Sequence, residues 1–271
     1  MSHSNFFKDC LRRAVWLADE RLGWRIVRTG SRLEKEVKYL SLAYQCTLRR
    51  LFKDAAINCV VDVVANIGQF GQSLRRLGYR GRIESFEPAS DPFRALSEAT
   101  MADPGWSAHQ IALGRNSGEA WLNVSRMSNF NSIREPLGRY ADLFQSSSGG
   151  ARDDEVVLVR RLDDVWPEIR GESTNIAGFL KIDTQDFDSE VVAGGEGEAL
   201  ADVLGVQFEA SVEHIYQGAP DWYELIEHCK KLGFKVAGIF PCARGDVDEV
   251  IELDCLMIRP EIYKGLRPDV G

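Results

Sequence analysis

Residues 57–71 read INCVVDVVANIGQFG, and this stretch decides the fold. Its first part, Ile57 to Val64, is a near-continuous apolar run broken by one acid, Asp62. Such a run fits a parallel strand buried on both faces. Past its end stand Ala65, Asn66 and Gly68, small or turn-forming residues. They fit the tight strand–helix turn over which a doubly wound sheet binds its ligand. A dinucleotide fingerprint needs GxGxxG, whereas only Gly68 and Gly71 stand here, so a nicotinamide-dinucleotide enzyme is disfavoured.

Downstream, FGQSLRRLG reads as a helix stopped by Gly78, RIESFEP as a second strand, DPFRALSEATM as a second helix and SAHQIALG as a third strand. This βαβαβ order is half of a doubly wound α/β fold. Residues 118–165 break the alternation. EAWLNVSR and EVVLVRRLDDV read as strands around a Ser-, Asn- and Gly-rich segment, a hairpin-like insertion whose loop suits a substrate lid. Then GFLKID and VLGVQFEAS read as strands, DSEVVAGGEGEAL and PDWYELIEHCKKLG as helices, and FKVAGIFP and VIELDCLMIR as closing strands able to pair antiparallel. The sum is about seven sheet strands rather than six. Upstream, Phe7, Leu11, Val15, Ala18 and Leu22, then Leu33, Val37, Leu40, Tyr44, Leu48 and Leu51, fall at helical spacing. The expected organisation is a helical extension over 1–55, which caps the sheet or forms a homodimer contact, and one domain over 56–271.

The chain carries 33 Lys+Arg against 41 Asp+Glu, a net charge of −8, which disfavours a nucleic-acid-coating role. Arg75, Arg76, Arg80 and Arg82 form a local basic run, read as a solvated helix face. None of the six cysteines has CxxC spacing, so they read as buried free thiols in a reducing cytoplasm. No stretch is apolar enough to span a bilayer, and the expected location is cytoplasmic.

Glu87 ends the second strand, 19 residues after Gly68, where an acid can accept both ribose hydroxyls of a nucleoside. Asp62 at the first turn can meet an ammonium group. In order over residues 57 to 258, VVDVVANIGQFG, SFEP, IALG, RRLDDV, FLKIDTQDFDSEVVAGG and VQFEASVEHIYQGAP resemble the FkbM family of S-adenosylmethionine-dependent methyltransferases. The resemblance implies a Rossmann-like class I fold with a seven-stranded, mostly parallel sheet. It also implies methyl transfer to a hydroxyl oxygen of a sugar, glycan or secondary metabolite. By the family pattern Asp62, Ala65, Asn66 and Gly68 line the cofactor turn, Glu87 binds the ribose, Ala112 and Leu113 flank the adenine, and Asp183 faces the methionine end. The chain departs from that pattern at Val64 and Asp186, where the family usually has glycine. Valine brings a branched side chain to the cofactor turn and is strained there if φ is positive. The rival reading is a cofactor-free binding or scaffold protein whose site those two residues have closed.

Methyl transfer to a hydroxyl needs an aligned acceptor and a base for its proton. Asp183, Glu209 and His214 are the candidate bases, at or after the ends of the fourth and fifth strands. Asp183 and Glu209 can also share a divalent ion that binds the acceptor oxygen. Lys181 shares a strand face with Asp183 and is expected to pair with it or with Glu209. Tyr216, Trp222 and Tyr223 are candidates for an aromatic acceptor platform and equally for the core, and helical spacing favours the core for Tyr223. His109 and His228 read as structural.

Overall fold

The computed structural model describes residues 32–125, 127–138, 140, 154–173, 175–245 and 249–263. The apolar set from Phe7 to Leu22, Cys10 and most of the expected mobile loop lie outside these residues. The chain separates into two compact units, 1–43 and 44–271. Helix α1 (Arg32–Asp54) carries the second apolar set. From Tyr44 onward it belongs to the larger unit, where Leu48 and Leu51 are buried.

The larger unit is built on a seven-stranded sheet. In chain order its strands are β1 (Cys59–Val63), β2 (Arg82–Phe86), β3 (Trp106–His109), β7 (Gly178–Ile182), β8 (Val203–Ser211), β9 (Lys235–Arg244) and β10 (Val250–Ile258). In space they run β3-β2-β1-β7-β8-β10-β9. The pairs from β3 across to β8 are parallel, and β10 is antiparallel to both β8 and β9, as the two closing runs allowed. The central strands β1 and β7 are buried at every residue, which is why their sequences are apolar almost throughout.

Each face of the sheet has its own core. On one, Leu48 and Leu51 of α1 pack with Leu74 of α2 (Gln69–Arg76), Leu96 of α3 (Ser90–Thr100) and Trp106. On the other lie α4 (Leu162–Arg170), α5 (Asp188–Ala193), α6 (Ala199–Asp202) and α7 (Trp222–Lys231), with Trp166 wholly buried. Gly71 is where the first core permits no side chain. A Cβ there would stand 2.2 Å from the Trp106 ring, so helix α2 seats directly on the indole.

Six expectations change. SAHQIALG is not one strand: β3 ends with its partner β2, and Ala112–Leu113 forms a separate β4. This β4 joins β5 (Gly118–Leu122) and β6 (Glu155–Arg160) in a small sheet of order β4-β6-β5, so the insertion is a third strand richer than a hairpin. RRLDDV leaves the strand at Leu162, because Leu162, Val165, Trp166 and Ile169 fall at helical spacing and bury one face of α4. DSEVVAGGEGEAL is two short helices parted by its glycines. Cys59, Cys229 and Cys255 are buried as expected, but Cys46 and Cys242 are exposed. The basic run is not simply solvated either. Arg75 pairs with Asp103 at 2.7 Å and donates to the carbonyls of Tyr79, Gly81 and Gly105, tying together the loops that flank β2.

Candidate active site

The turn after β1 is compact. The Gly68 N–H donates to the Ala65 carbonyl at 2.8 Å, and the Ala65 N–H to the carbonyl of Phe86 at the end of β2 at 2.9 Å. To close this way the backbone becomes left-handed at Val64 (φ 56°), Asn66 (φ 50°) and Gly68 (φ 84°). Glycine and asparagine tolerate that region, whereas a β-branched residue is strained there by about 1–3 kcal/mol. Beyond β7 the same thing happens at Gln185 (φ 55°) and Asp186 (φ 69°). Both departures from the family glycines therefore sit where the backbone itself calls for glycine.

Glu87 holds the first turn in place. Its carboxylate accepts the Asn66 N–H at 2.8 Å on one oxygen and the Ala89 N–H, at the start of α3, at 2.9 Å on the other. A carboxylate offers about four lone-pair sites, so two remain for hydroxyl donors. Burial raises its pKa to about 7, against the two amides that favour the charged form. Glu87 lies in the wall of a cavity of about 340 Å³, mouth included, with Val64, Pro88, Ala112 and Leu113 among its other walls. Val64 narrows the cavity without filling it. Leu122, Asn131, Ser132 and Ile133 of the insertion cover one side. The insertion is fastened at both ends of the site: the Ser128 hydroxyl to Asn66 Oδ1 at 3.1 Å, and the Ser132 hydroxyl to the Gln185 carbonyl at 2.8 Å. Arg134 secures the second loop through the Asp186 carbonyl at 2.7 Å and the Gly218 carbonyl at 2.8 Å.

Asp62 is fully buried, beside this cavity rather than in its lining. Ser85, two residues before Glu87 on β2, donates to Asp62 Oδ2 at 3.4 Å, so Asp62 and Glu87 share a sheet face. Ser85 is itself held by the Trp106 indole N–H at 2.9 Å. Asp62 Oδ1 has no hydrogen bond, but the Lys181 ammonium lies 3.5 Å away. Burial drives the Asp62 carboxyl up, opposed by Lys181. Burial also works against the Lys181 charge, yet Asp183 at 3.2 Å and Asp62 outweigh it and hold the ammonium protonated. Lys181 thus pairs with Asp183 and Asp62, not with Glu209.

The expected bases are only partly gathered. The Gln185 amide bridges Asp183 (3.4 Å) and Glu209 (2.7 Å). Glu209 is pushed well above the carboxylate range by burial, then by the neighbouring Asp183, Glu252 and Asp254. His214 stands apart, 3.4 Å from Asp221. Tyr216 is 2% exposed with its hydroxyl on the Phe130 carbonyl, so it is no platform. Trp222 and Tyr223 are exposed and meet edge to face, and Trp222 lines a second cleft of about 280 Å³ with Asp186, Asp188, Glu209 and Asp221. His109 bonds Glu84 at 2.8 Å and His228 bonds Glu196 at 2.9 Å, both away from these walls.

Sequence reasoning missed Gln185 as a bridge, the cover from Asn131 to Ile133, and the trio Glu209, Cys242 and Glu252. One ligand atom from each of that trio lies within 4.8 Å of the others. The alternating acids Glu252 and Asp254 in an otherwise apolar strand were the available signal. Asp183, expected to share an ion with Glu209, is not in the trio.

A seven-stranded sheet with one antiparallel strand wedged next to its edge, and a cavity over the first two strand ends with Glu87 in its wall, is the arrangement of a class I, Rossmann-like methyltransferase fold. The chain belongs to the FkbM methyltransferase domain family, whose model matches residues 62–236. The AMB antimetabolite synthetase AmbE of Pseudomonas aeruginosa is 25% identical over 206 residues, covering 66% of this chain and 10% of that protein. The chain thus spans about a tenth of that relative. Among solved structures, an rRNA methylase from Streptococcus thermophilus aligns over 86% of this chain and 98% of its own, at 8% identity and a TM-score of 0.43. Magnesium protoporphyrin IX methyltransferase from Synechocystis PCC 6803, with bound SAH, aligns over 86% and 90% at 7% identity and a TM-score of 0.42. Among the described residues no helix is long and apolar enough to cross a membrane.

Proposed function

We propose that the domain over residues 56–271 transfers a methyl group from S-adenosylmethionine to a hydroxyl of a sugar, glycan or secondary metabolite. One observation carries this reading: Glu87, in a cavity wall, still has lone pairs free after fixing the β1 turn and the start of α3. Two ribose hydroxyls would use them. Ala112 and Leu113 would flank the adenine, and Ala65, Asn66 and Gly68 would shape the turn beneath the ligand. Asp183 would face the methionine end, with Asp62 below it as a buried countercharge already balanced by Lys181. Such a cofactor, when bound, supplies an electrophilic methyl on a sulfonium.

Glu209 is the base the geometry favours. Its raised proton affinity brings it nearer to working pH, and the Gln185 bridge holds one oxygen in place. Asp183 is engaged by Lys181 and would act mainly on charge and position, while His214 would serve the acceptor loop. The relation to an antimetabolite synthetase supports a secondary-metabolite acceptor.

Isothermal titration with S-adenosylmethionine tests the cofactor site: micromolar binding is expected, and none at high concentration would favour the scaffold reading. Glu87→Gln should weaken binding by roughly ten- to a hundredfold, the value of a charged hydrogen-bond acceptor.

A second reading adds a divalent ion near Glu209, favoured by the approach of Cys242 and Glu252. Cys242 is exposed as a residue, but desolvation of its sulfur and then the neighbouring carboxylates push the thiol up, and a cation would reverse this. Titration with manganese chloride, with Cys242→Ala as control, decides it: thiol-dependent binding supports the ion and no heat removes it.

A further inference from the structure

The loop Asp183–Asp188 separates two spaces. Thr184 and Phe187 face the cavity that Glu87 lines, while Asp186 and Asp188 face the second cleft. That cleft is lined by four carboxyl-bearing residues, Asp186, Asp188, Glu209 and Asp221, and by the exposed Trp222, with no lysine or arginine among its lining residues. His214 stands at its rim, 3.4 Å from Asp221 and close enough to act on Asp186, and the permanently charged neighbours are committed elsewhere. Lys181 lies between Asp62 and Asp183, and the Arg134 guanidinium is spent on the backbone carbonyls of Asp186 and Gly218.

Asp188 supplies a second, separate observation. It is 3% exposed, and the Thr184 hydroxyl satisfies only its Oδ2, at 2.7 Å. Its Oδ1 is buried with no hydrogen-bond partner among the described residues, and so is Asp186 Oδ2 in the same lining. Unmet buried carboxylate oxygens cost free energy that a cationic hydrogen-bond donor would recover. Trp222 offers the kind of aromatic face on which an ammonium also rests.

We infer that this cleft binds the acceptor through a positively charged amine, so that the substrate is an amino sugar or amino alcohol rather than a neutral glycan. The inference rests on the methyltransferase reading for the word acceptor, but the charge preference of the cleft is measurable without turnover.

The experiment compares glucosamine with its neutral twin N-acetylglucosamine on the full chain, by saturation-transfer NMR with concentration series. Wild type should bind the amine at least about tenfold more tightly. Asp188→Asn should bring the ratio to within about threefold. Asp186→Gly removes a carboxylate while placing glycine at a left-handed position, and should reduce the ratio too, which keeps the test readable if the first variant does not fold. Equal binding of the twins, or a ratio unchanged in a folded Asp188→Asn protein, overturns the inference. Manganese chloride binding that Asp188→Asn abolishes, without amine preference in wild type, also overturns it by giving the carboxylates to a metal. An amine preference in a protein that gives no heat with S-adenosylmethionine supports the charged cleft while removing the cofactor reading beneath it.

Discussion

The two ends of the site are built on different principles. On the β1–β2 side the backbone does the work: left-handed residues close a turn, one carboxylate ties two loops, and the cavity walls are mostly apolar. On the β7–β8–β10 side the side chains do it, with carboxylates drawn from β8, β10 and the loop after β7, and Lys181 held between Asp183 and Asp62. The first arrangement suits a ligand recognised by shape and two hydroxyls. The second stores unbalanced charge, which suits a site completed by what it binds.

The comparison breaks first at Lys181. Replacing it with methionine leaves Asp62 and Asp183 without their cation. Removing one partner of a buried pair costs roughly 3–5 kcal/mol, to be read by urea unfolding. A loss under 1 kcal/mol would mean that the acids are already neutral and the charge argument fails.

Next is pH. Glu87, Asp188 and Glu252 are each raised to about 7, by burial first, from ordinary values of 4.5, 3.8 and 4.5. A carboxyl whose folded pKa is raised holds its proton longer in the native state. Its contribution is full below the unfolded pKa and is lost as pH climbs through about 7. The Tm should therefore fall by several degrees between pH 5 and 8, and fall less in Asp188→Asn. Over the same range S-adenosylmethionine affinity should rise as Glu87 ionises, so stability and cofactor affinity respond to pH with opposite signs. A Tm that rises through this window would contradict the burial of these groups.

Gly71→Ala probes the backbone-built side. A methyl group 2.2 Å from the Trp106 ring forces helix α2 off its seat, at about 1–3 kcal/mol in denaturant melts. The smallest effect is expected at Val64→Gly. Relief of the left-handed strain is offset by lost valine packing and by glycine's chain entropy, so stability should move by no more than about 1 kcal/mol. Cofactor affinity should gain a few-fold, because the branched side chain narrows the cavity. Unchanged affinity would show that valine leaves the ligand untouched.

The cofactor side was largely legible because its logic is local. INCVVDVVANIG announces a buried strand and a tight turn within a dozen residues, and Glu87 follows at the spacing that the βαβ unit imposes. Val64 was identified as strained if φ were positive, and φ is 56°. The acceptor side was not legible in the same way. Asp183 and Glu209 stood out as strand-end acids, but Gln185 reaches Glu209 only through the parallel pairing of β7 with β8, and Cys242 and Glu252 join them only through β10 entering antiparallel between β8 and β9. Tyr216 reads equally as an acceptor platform or a core residue, and its burial, which settles the choice, comes with a bridge to Pro136, 80 positions earlier.

Sequence alone determined the alternation of strands and helices, the approximate number of strands, the family and the place of Glu87 at the end of β2. Hydrophobic period and turn chemistry are properties of neighbouring residues, and a chain carries them without being folded. Tertiary structure alone decided which carboxylates share a cleft, which of them keep an unmet oxygen, and which cations are already taken. Electrostatic energy depends on distance in space, and strands far apart in sequence set that distance when they meet.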